Sequence, residues 1–275
     1  MTLSTIRNNP AKQKKVKTKK QKAIAATCAV AFWLLVWHVV SLCVGSELVL
    51  VSPVKVVQTL FTVIFDPDFL KTVWYSAARI LGGFFTALTL GTVLGWVASR
   101  FWVVETLLRP ITAAIKATPV ASFIILVLLW FSGKNLSVII SMLMVFPVIY
   151  MNVLEGIRSA DEELLEMAQV FRLSVGKKLL YIYLPAVAPF FVSACSVSLG
   201  LCWKSGIAAE VIGTPDGSIG AVFYQAKIFL QTSELLAWTV VVVAVSVAFE
   251  KLFMLLLRLV LKKLKMEDVL NGKRA

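Results

Sequence analysis

The chain has 275 residues, of which 59% are hydrophobic and 16% are charged, and its mean hydropathy is +0.86. This composition is too apolar for a soluble domain of that length and predicts a membrane protein. The net charge of +13 does not indicate a nucleic-acid partner, because the basic residues flank apolar segments instead of alternating with aromatic ones. The four cysteines lie in apolar segments without metal-ligand spacing, so we predict no metal site and no disulfide framework.

Residues 1–22 form a basic N-terminal tail that carries Arg7 and a run of lysines, and an apolar segment, 23–45, follows it. The apolar core of a signal peptide is only about 7–15 residues long. Segment 23–45 is longer, so we predict that it is a retained transmembrane helix. The tail is then expected in the cytoplasm, where its charge would favour contact with anionic membrane lipid.

Six segments lack strand periodicity and are each long enough to cross about 30 Å of hydrocarbon. They are residues 23–45, 80–99, 111–131, 136–154, 184–208 and 235–257. We therefore predict an all-α integral membrane protein with six transmembrane helices, in which a membrane domain, 23–261, precedes a cytoplasmic tail, 262–275. Residues 47–79 are predicted to form an extramembrane connection with short interfacial helices. Pro119 and Pro147 are predicted to kink their spans.

The distribution of basic residues predicts the orientation. With the N-terminus in the cytoplasm, the lysine run, the loop 158–185 and the C-terminal tail share one side, and most of the lysines and arginines lie there. This bias fits the positive-inside rule. We expect a multi-pass protein of the bacterial cytoplasmic (inner) membrane with both termini inside. No internal repeat is visible, so a six-span chain of this kind is expected to work as a dimer.

The loop 158–185 has the clearest helix signals outside the spans. Ser159 and Glu162 have the spacing of a capping box, which predicts that a helix begins at this point. The helix is predicted to lie along the cytoplasmic membrane face, with its other side available to a partner. Its apolar side is predicted to consist of Leu164, Leu165, Ala168 and Phe171.

The same loop resembles the E-A-A…G…I-x-L-P segment of binding-protein-dependent ABC importer permeases. The residues that carry the resemblance are Glu166, Met167, Ala168, Ile182, Leu184 and Pro185. Two positions depart from the family pattern, because Met167 replaces a small residue and Arg172 stands where the family has glycine. That glycine permits a turn between two short helices, so we expect the turn to shift toward Leu173 and Ser174, with Ser174 capping the second helix.

Further segments resemble the nitrate/sulfonate/taurine branch of these permeases. In chain order they are Ser52-Pro53-Val54, Ala117-Thr118-Pro119, Leu129-Trp130-Phe131-Ser132-Gly133, Val145-Phe146-Pro147, Trp203 with Ala208-Ala209-Glu210, and Gly217-Ser218-Ile219-Gly220. The resemblance implies two permease copies around a translocation pathway, cytoplasmic ABC ATPase subunits docked on the two loops, and an extracytoplasmic solute-binding protein. It implies a small, anionic solute such as a sulfonate, taurine or nitrate. It also implies no catalytic residue and no cofactor, in agreement with the absence of a G-x-x-x-x-G-K-[ST] motif from the sequence.

Lys116 and Lys204 fall within predicted spans, where a lysine costs about 2.5–3.5 kcal/mol on insertion scales. A position on the translocation pathway, with Trp203 and Glu210 nearby, would suit an anionic solute. Alternatively, Lys116 snorkels to the cytoplasmic interface and Lys204 pairs with a carbonyl group or with Glu210. The alternative function is a membrane scaffold or sensor that binds a cytoplasmic partner through the same loop. A channel is less favoured, because the spans are aliphatic.

Overall fold

The computed structural model describes residues 19–264, with side chains from residue 24 onward, and every regular element in this range is helical. The helices are α1 (Lys19–Val44), α2 (Pro53–Ile64), α3 (Phe69–Arg100), α4 (Trp102–Ala117), α5 (Val120–Leu128), α6 (Gly133–Arg158), α7 (Glu162–Val170), α8 (Val175–Lys178), α9 (Leu184–Gly213), α10 (Ile219–Ile228) and α11 (Thr232–Lys263). A π-helical turn, Leu179–Tyr183, joins α8 to α9. The chain divides into two compact units, Met1–Lys55 and Val56–Ala275. Within the first unit, the Trp37 indole N–H donates a 3.1 Å hydrogen bond to the Val51 carbonyl.

Five helical stretches in the described part of the chain are long and apolar enough to cross a membrane. They are Ile24–Val44, Phe69–Arg100, Gly133–Arg158, Val175–Gly213 and Thr232–Lys263. The bent pair of α4 and α5 makes a sixth if the two helices count as one span. The predicted all-α membrane class is therefore confirmed.

The predicted third span, 111–131, is not one continuous helix. α4 and α5 meet at 105°, which is far more than a kink. Thr118 adopts an extended backbone (φ −83°, ψ 133°) because a residue that precedes proline is disfavoured in the helical region. Pro119 itself has no N–H to continue the helix. By contrast, α6 runs without interruption through Pro147.

Two other predicted boundaries differ from those in the structure. α3 begins at Phe69, so residues 69–79 of the predicted connection belong to the first turns of a long helix, and α2 is the short helix that precedes it. The charged residue that broke the predicted span, Arg79, places its guanidinium 4.3 Å from the centre of the Tyr75 ring, a cation–π contact. The helices α1 and α11 extend into the predicted tails, 1–22 and 262–275, most of which lie outside the described residues.

α3 and α6 pack along a row of small residues. A Cβ atom at Gly83 would lie 2.8 Å from the Ser141 Cβ, and one at Gly95 would lie 3.0 Å from the Val153 Cβ, so only glycine fits at these points. Small residues of this kind let two membrane helices approach closely. Together with α9, the pair encloses the main apolar core. This packing fixes the end of α6, from which the loop 158–185 continues.

Candidate functional site

The N-cap of α7, the first helix of the loop, lies two residues later than the Ser159 of the predicted capping box. Asp161 is the residue that caps it, and its carboxylate accepts a 2.9 Å hydrogen bond from the Glu163 N–H. Ser159 instead donates to the Gly156 carbonyl at the end of α6, so the predicted box between Ser159 and Glu162 is wrong. An aspartate in this position satisfies a free N–H group and also places negative charge at the positive end of the helix.

The turn after α7 lies at Arg172 and has not shifted to Leu173 and Ser174. Arg172 is in the left-handed region with φ +48°. The Leu173 N–H donates to the Ala168 carbonyl at 2.9 Å, and the Arg172 N–H donates to the Gln169 carbonyl at 3.0 Å. These two bonds define a Schellman motif, which normally has glycine at the left-handed position. Ser174 precedes α8 as expected, but its hydroxyl makes no capping hydrogen bond.

The residues of the sequence motif separate into a buried set and an exposed set. Ala168 and Ile182 are buried and meet in one apolar cluster with Ala160. Leu184 and Pro185 are partly buried at the start of α9. The π-helical turn directly before them is a common result of a proline in a helix, because the proline ring displaces the carbonyl one turn earlier. The buried set therefore anchors α7 onto the start of α9.

The predicted apolar side of α7 is divided, because Ala168 is buried and Leu165 is partly buried, whereas Leu164 and Phe171 belong to an exposed apolar set. We call it the apolar loop surface and define it as Leu164, Met167, Val170, Phe171 and Val175, whose exposed fractions are 42%, 47%, 78%, 71% and 81%. The side chains of Glu166 and Arg172 are also exposed. A group of exposed apolar side chains with charged neighbours on one loop is typical of a binding surface.

Among the predicted pathway residues, Trp203 and Glu210 are buried within the chain, with 2% and 0% exposure. Ser76 donates a 2.6 Å hydrogen bond to the Glu210 Oε2, and the Gly220 N–H donates to the same oxygen at 3.3 Å. Glu210 therefore joins α9 to α3 and to the first turn of α10. The sequence offered no signal for Ser76, because a lone serine in an apolar segment has no local pattern that marks it.

Lys116 and Lys204 have exposed side chains in the described chain. Lys116 on α4 places its Nζ atom 3.5 Å from the Met151 Sδ on α6. Lys204 lies on α9 between the buried residues Trp203 and Ser205. Among residues 24–264, no ion pair joins Lys204 to Glu210, whose Oε2 is occupied by Ser76 and Gly220. The structure thus leaves both ammonium groups on surfaces of the chain.

These helices define a polytopic membrane protein whose loop 158–185 combines a buried anchor with exposed apolar side chains. The family model for the inner membrane component of binding-protein-dependent transport systems matches residues 87–266. The chain belongs to this family, as the resemblance of its loop had indicated.

Curated relatives fall in one branch of the family. The chain is 29% identical over 232 residues to the putative aliphatic sulfonates transport permease protein of Bacillus subtilis, which covers 83% of each chain. It is 27% identical to the taurine transport system permease protein of Escherichia coli, over 78% of this chain and 80% of the relative. It is 25% identical to the nitrate import permease protein of Synechocystis, over 74% and 76%. The predicted branch, the ABC permeases for nitrate, sulfonate and taurine transport, is thereby confirmed.

Proposed function

We propose that this chain forms the translocation pathway of an ATP-driven importer and transmits ATPase movements to that pathway through the loop 158–185. The observation that carries the proposal is the apolar loop surface, which is exposed although its backbone is fixed by Ala168 and Ile182. An ATPase subunit with an apolar groove would remove these side chains from water. Exposed Glu166 and Arg172 would then set the orientation of the docked partner.

The remaining parts of the importer follow from this assignment. The loop faces the cytoplasm, both termini lie on the same side, and the lysine run of the N-terminal tail contacts anionic lipid. Two copies form a homodimer whose pathway is lined in part by Lys204 and Lys116. Trp203 and Glu210 are buried within the chain and pack beneath the pathway surface that carries Lys204. An extracytoplasmic binding protein delivers the solute, and ATP is hydrolysed on the separate ATPase subunits and not on this chain.

The solute is a small anion or zwitterion of the sulfonate, taurine or nitrate kind. Two features support this proposal: the names of the relatives, and the two ammonium groups that α4 and α9 leave on the surface of the chain. A pathway with positive charge attracts such a solute but does not select one member of the class. Selection is expected to come from the external binding protein.

Two phenylalanines of equal exposure provide a matched test of the docking loop. Phe171 on the loop and Phe229 at the end of α10 are each 71% exposed, and in the proposed orientation they lie on opposite sides of the membrane. We expect Phe171→Glu to abolish co-purification with an ABC ATPase and ATP-dependent uptake, and Phe229→Glu to preserve co-purification. Equal recovery of the ATPase with both variants would contradict the assignment. Recovery of a cytoplasmic partner through the loop without any ATP-dependent uptake would instead support the scaffold or sensor.

A further inference from the structure

A cleft of about 330 Å³ lies between α9 and α11. It is lined by Ser196, Glu250, Lys251, Met254, Leu255 and Arg258. The last four have the spacing i, i+3, i+4 and i+7, which places them on one face of α11. This face has a cation at each end, Lys251 and Arg258, and two apolar side chains between them. None of the lining residues belongs to the loop 158–185 or to the proposed pathway.

The cleft lies near one end of the membrane-spanning part of α11. This helix contains 32 residues, which corresponds to a length of about 48 Å. The hydrocarbon core of a bilayer is about 30 Å thick and is crossed by about 20 residues. Counted from Leu235, which follows the charged Glu234, such a stretch ends at Met254. Arg258 therefore lies at the level of the lipid headgroups, and the ammonium group of Lys251 reaches that level along its methylene chain.

The charged residues of the cleft leave an excess of one positive charge. Glu250 is the one acidic residue of the lining, and its Oε1 accepts a 2.9 Å hydrogen bond from the Ser196 hydroxyl on α9. Lys251 and Arg258 are exposed and form no ion pair within residues 24–264. The facing part of α9, residues 184–203, carries no charged residue. The two cations are therefore opposed by a single carboxylate.

We propose that this cleft binds the headgroup of a singly charged phospholipid, of which phosphatidylglycerol is the simplest. The Arg258 guanidinium and the Lys251 ammonium group donate charge-assisted hydrogen bonds to the phosphodiester. The Glu250 oxygen that Ser196 leaves available accepts from a hydroxyl of the headgroup glycerol. Met254 and Leu255 contact the first methylene groups of an acyl chain. Basic pockets between transmembrane helices are typical sites for anionic headgroups.

Only the leaflet of the bound lipid rests on the proposed function. With both termini in the cytoplasm, the cleft opens to the inner leaflet. The charge and the position of the cleft do not depend on an ATPase or on a transported solute, so lipid binding is measured on the purified chain alone. Loss of ATPase docking would leave lipid binding intact, and absence of lipid binding would leave the docking assignment intact.

The test titrates the full chain in detergent with phosphatidylglycerol or phosphatidylcholine of the same acyl chains, and native mass spectrometry measures the bound fraction. We expect phosphatidylglycerol to bind more tightly. Lys251→Gln and Arg258→Gln are each expected to weaken its binding by about fivefold. Lys227→Gln on α10 removes an exposed cation elsewhere and is the matched control, expected to have no effect. Glu250→Gln keeps an acceptor and removes the like charge, so binding should be unchanged or tighter.

Equal binding of the two lipids to the unaltered chain would overturn the proposal. Binding of phosphatidylglycerol to Lys251→Gln and Arg258→Gln as tightly as to Lys227→Gln would also overturn it. Soluble glycerol 3-phosphate distinguishes a lipid from a free phosphate. Its displacement of the lipid at an equal concentration would assign the cleft to a soluble anion, whereas retention of the lipid supports the proposal.

The other possible occupant is a second copy of the chain, because the Lys251 of one copy could pair with the Glu250 of another. Leu255→Cys places a thiol on the exposed part of the cleft, in a chain whose exposed Cys28 and Cys43 are replaced by serine. We expect oxidation in phosphatidylglycerol nanodiscs to give no disulfide-linked dimer. Efficient cross-linking would show that a second copy covers the cleft and would overturn the lipid assignment.

Discussion

Ser76 and Glu210, which are 134 positions apart in the chain, share a 2.6 Å hydrogen bond in a region from which water is excluded. Ser76 also accepts a 2.9 Å hydrogen bond from the Ile219 N–H, and Glu210 accepts from the Gly220 N–H. One hydroxyl and one carboxylate therefore satisfy two N–H groups in the first turn of α10 and attach that helix to α3 and α9. Removal of a single oxygen from this hydrogen-bond network would therefore weaken contacts among α3, α9 and α10.

Removal of the Ser76 hydroxyl is expected to destabilise the chain measurably. Ser76→Ala leaves the Ile219 N–H without its partner and leaves the Glu210 Oε2 with only the 3.3 Å hydrogen bond from the Gly220 N–H, at a cost of about 1–3 kcal/mol. Thermal unfolding of the purified protein in detergent measures the effect. Ser193 on α9 is exposed, and Ser193→Ala is the matched control, expected to be neutral. Equal melting temperatures for both variants would contradict the role given to Ser76.

Adjacent glycines on α3 test the close contact with α6. A Cβ atom at Gly83 would lie 2.8 Å from the Ser141 Cβ, whereas one at Gly82 would have no atom within 4 Å. We expect Gly83→Ala to lower the free energy of unfolding by about 1–3 kcal/mol through overpacking, and Gly82→Ala to leave it unchanged or raise it slightly. Chemical denaturation of the two variants gives the comparison. A Gly83→Ala variant as stable as Gly82→Ala would show that the helices can separate without cost.

Substitution of Arg172 by glycine is expected to stabilise the end of α7. The φ angle of +48° costs a residue with a Cβ atom about 1–2 kcal/mol, and glycine avoids this cost. Arg172→Ala removes the same charge but keeps the Cβ atom, so it isolates the backbone effect. Hydrogen exchange of the Leu173 N–H, which is bonded to Ala168, should slow in Arg172→Gly relative to Arg172→Ala. Faster exchange in the glycine variant would refute this account of the turn.

Neutralisation of Lys204 tests the proposed pathway. Lys204→Gln is expected to reduce uptake of radiolabelled taurine by roughly tenfold in proteoliposomes that contain the complete importer, because a desolvated charge–charge contact is lost. ATPase binding and melting temperature should stay the same, since the side chain is exposed. Lys227→Gln on α10 serves as the charge-matched control. Normal uptake by Lys204→Gln would remove this lysine from the pathway.

The sequence predicted the helical class and the position of the loop because both depend on local patterns of hydropathy and spacing. It failed at the bend between α4 and α5, where the residues on either side of Pro119 form one long segment with Lys116 as its single charge. It also missed the start of α3, because the charge of Arg79 interrupts the apolar pattern of that helix. Ser76 matters only through Glu210 and Ile219, which folding brings near it, so no local pattern marked it.

The row of small residues on α3 restricts how this helix can move relative to α6. Gly83, Ala87, Gly91 and Gly95 recur every four residues, and each of the three glycines is close to a residue of α6. A displacement of α3 along its axis by a fraction of a turn would drive the larger side chains between them into the α6 backbone. A displacement by four residues, about 6 Å along the axis, would bring one small residue to the level of the next. Sliding between these two helices is therefore stepwise, so gradual changes in the width of a pathway must come from the other helices.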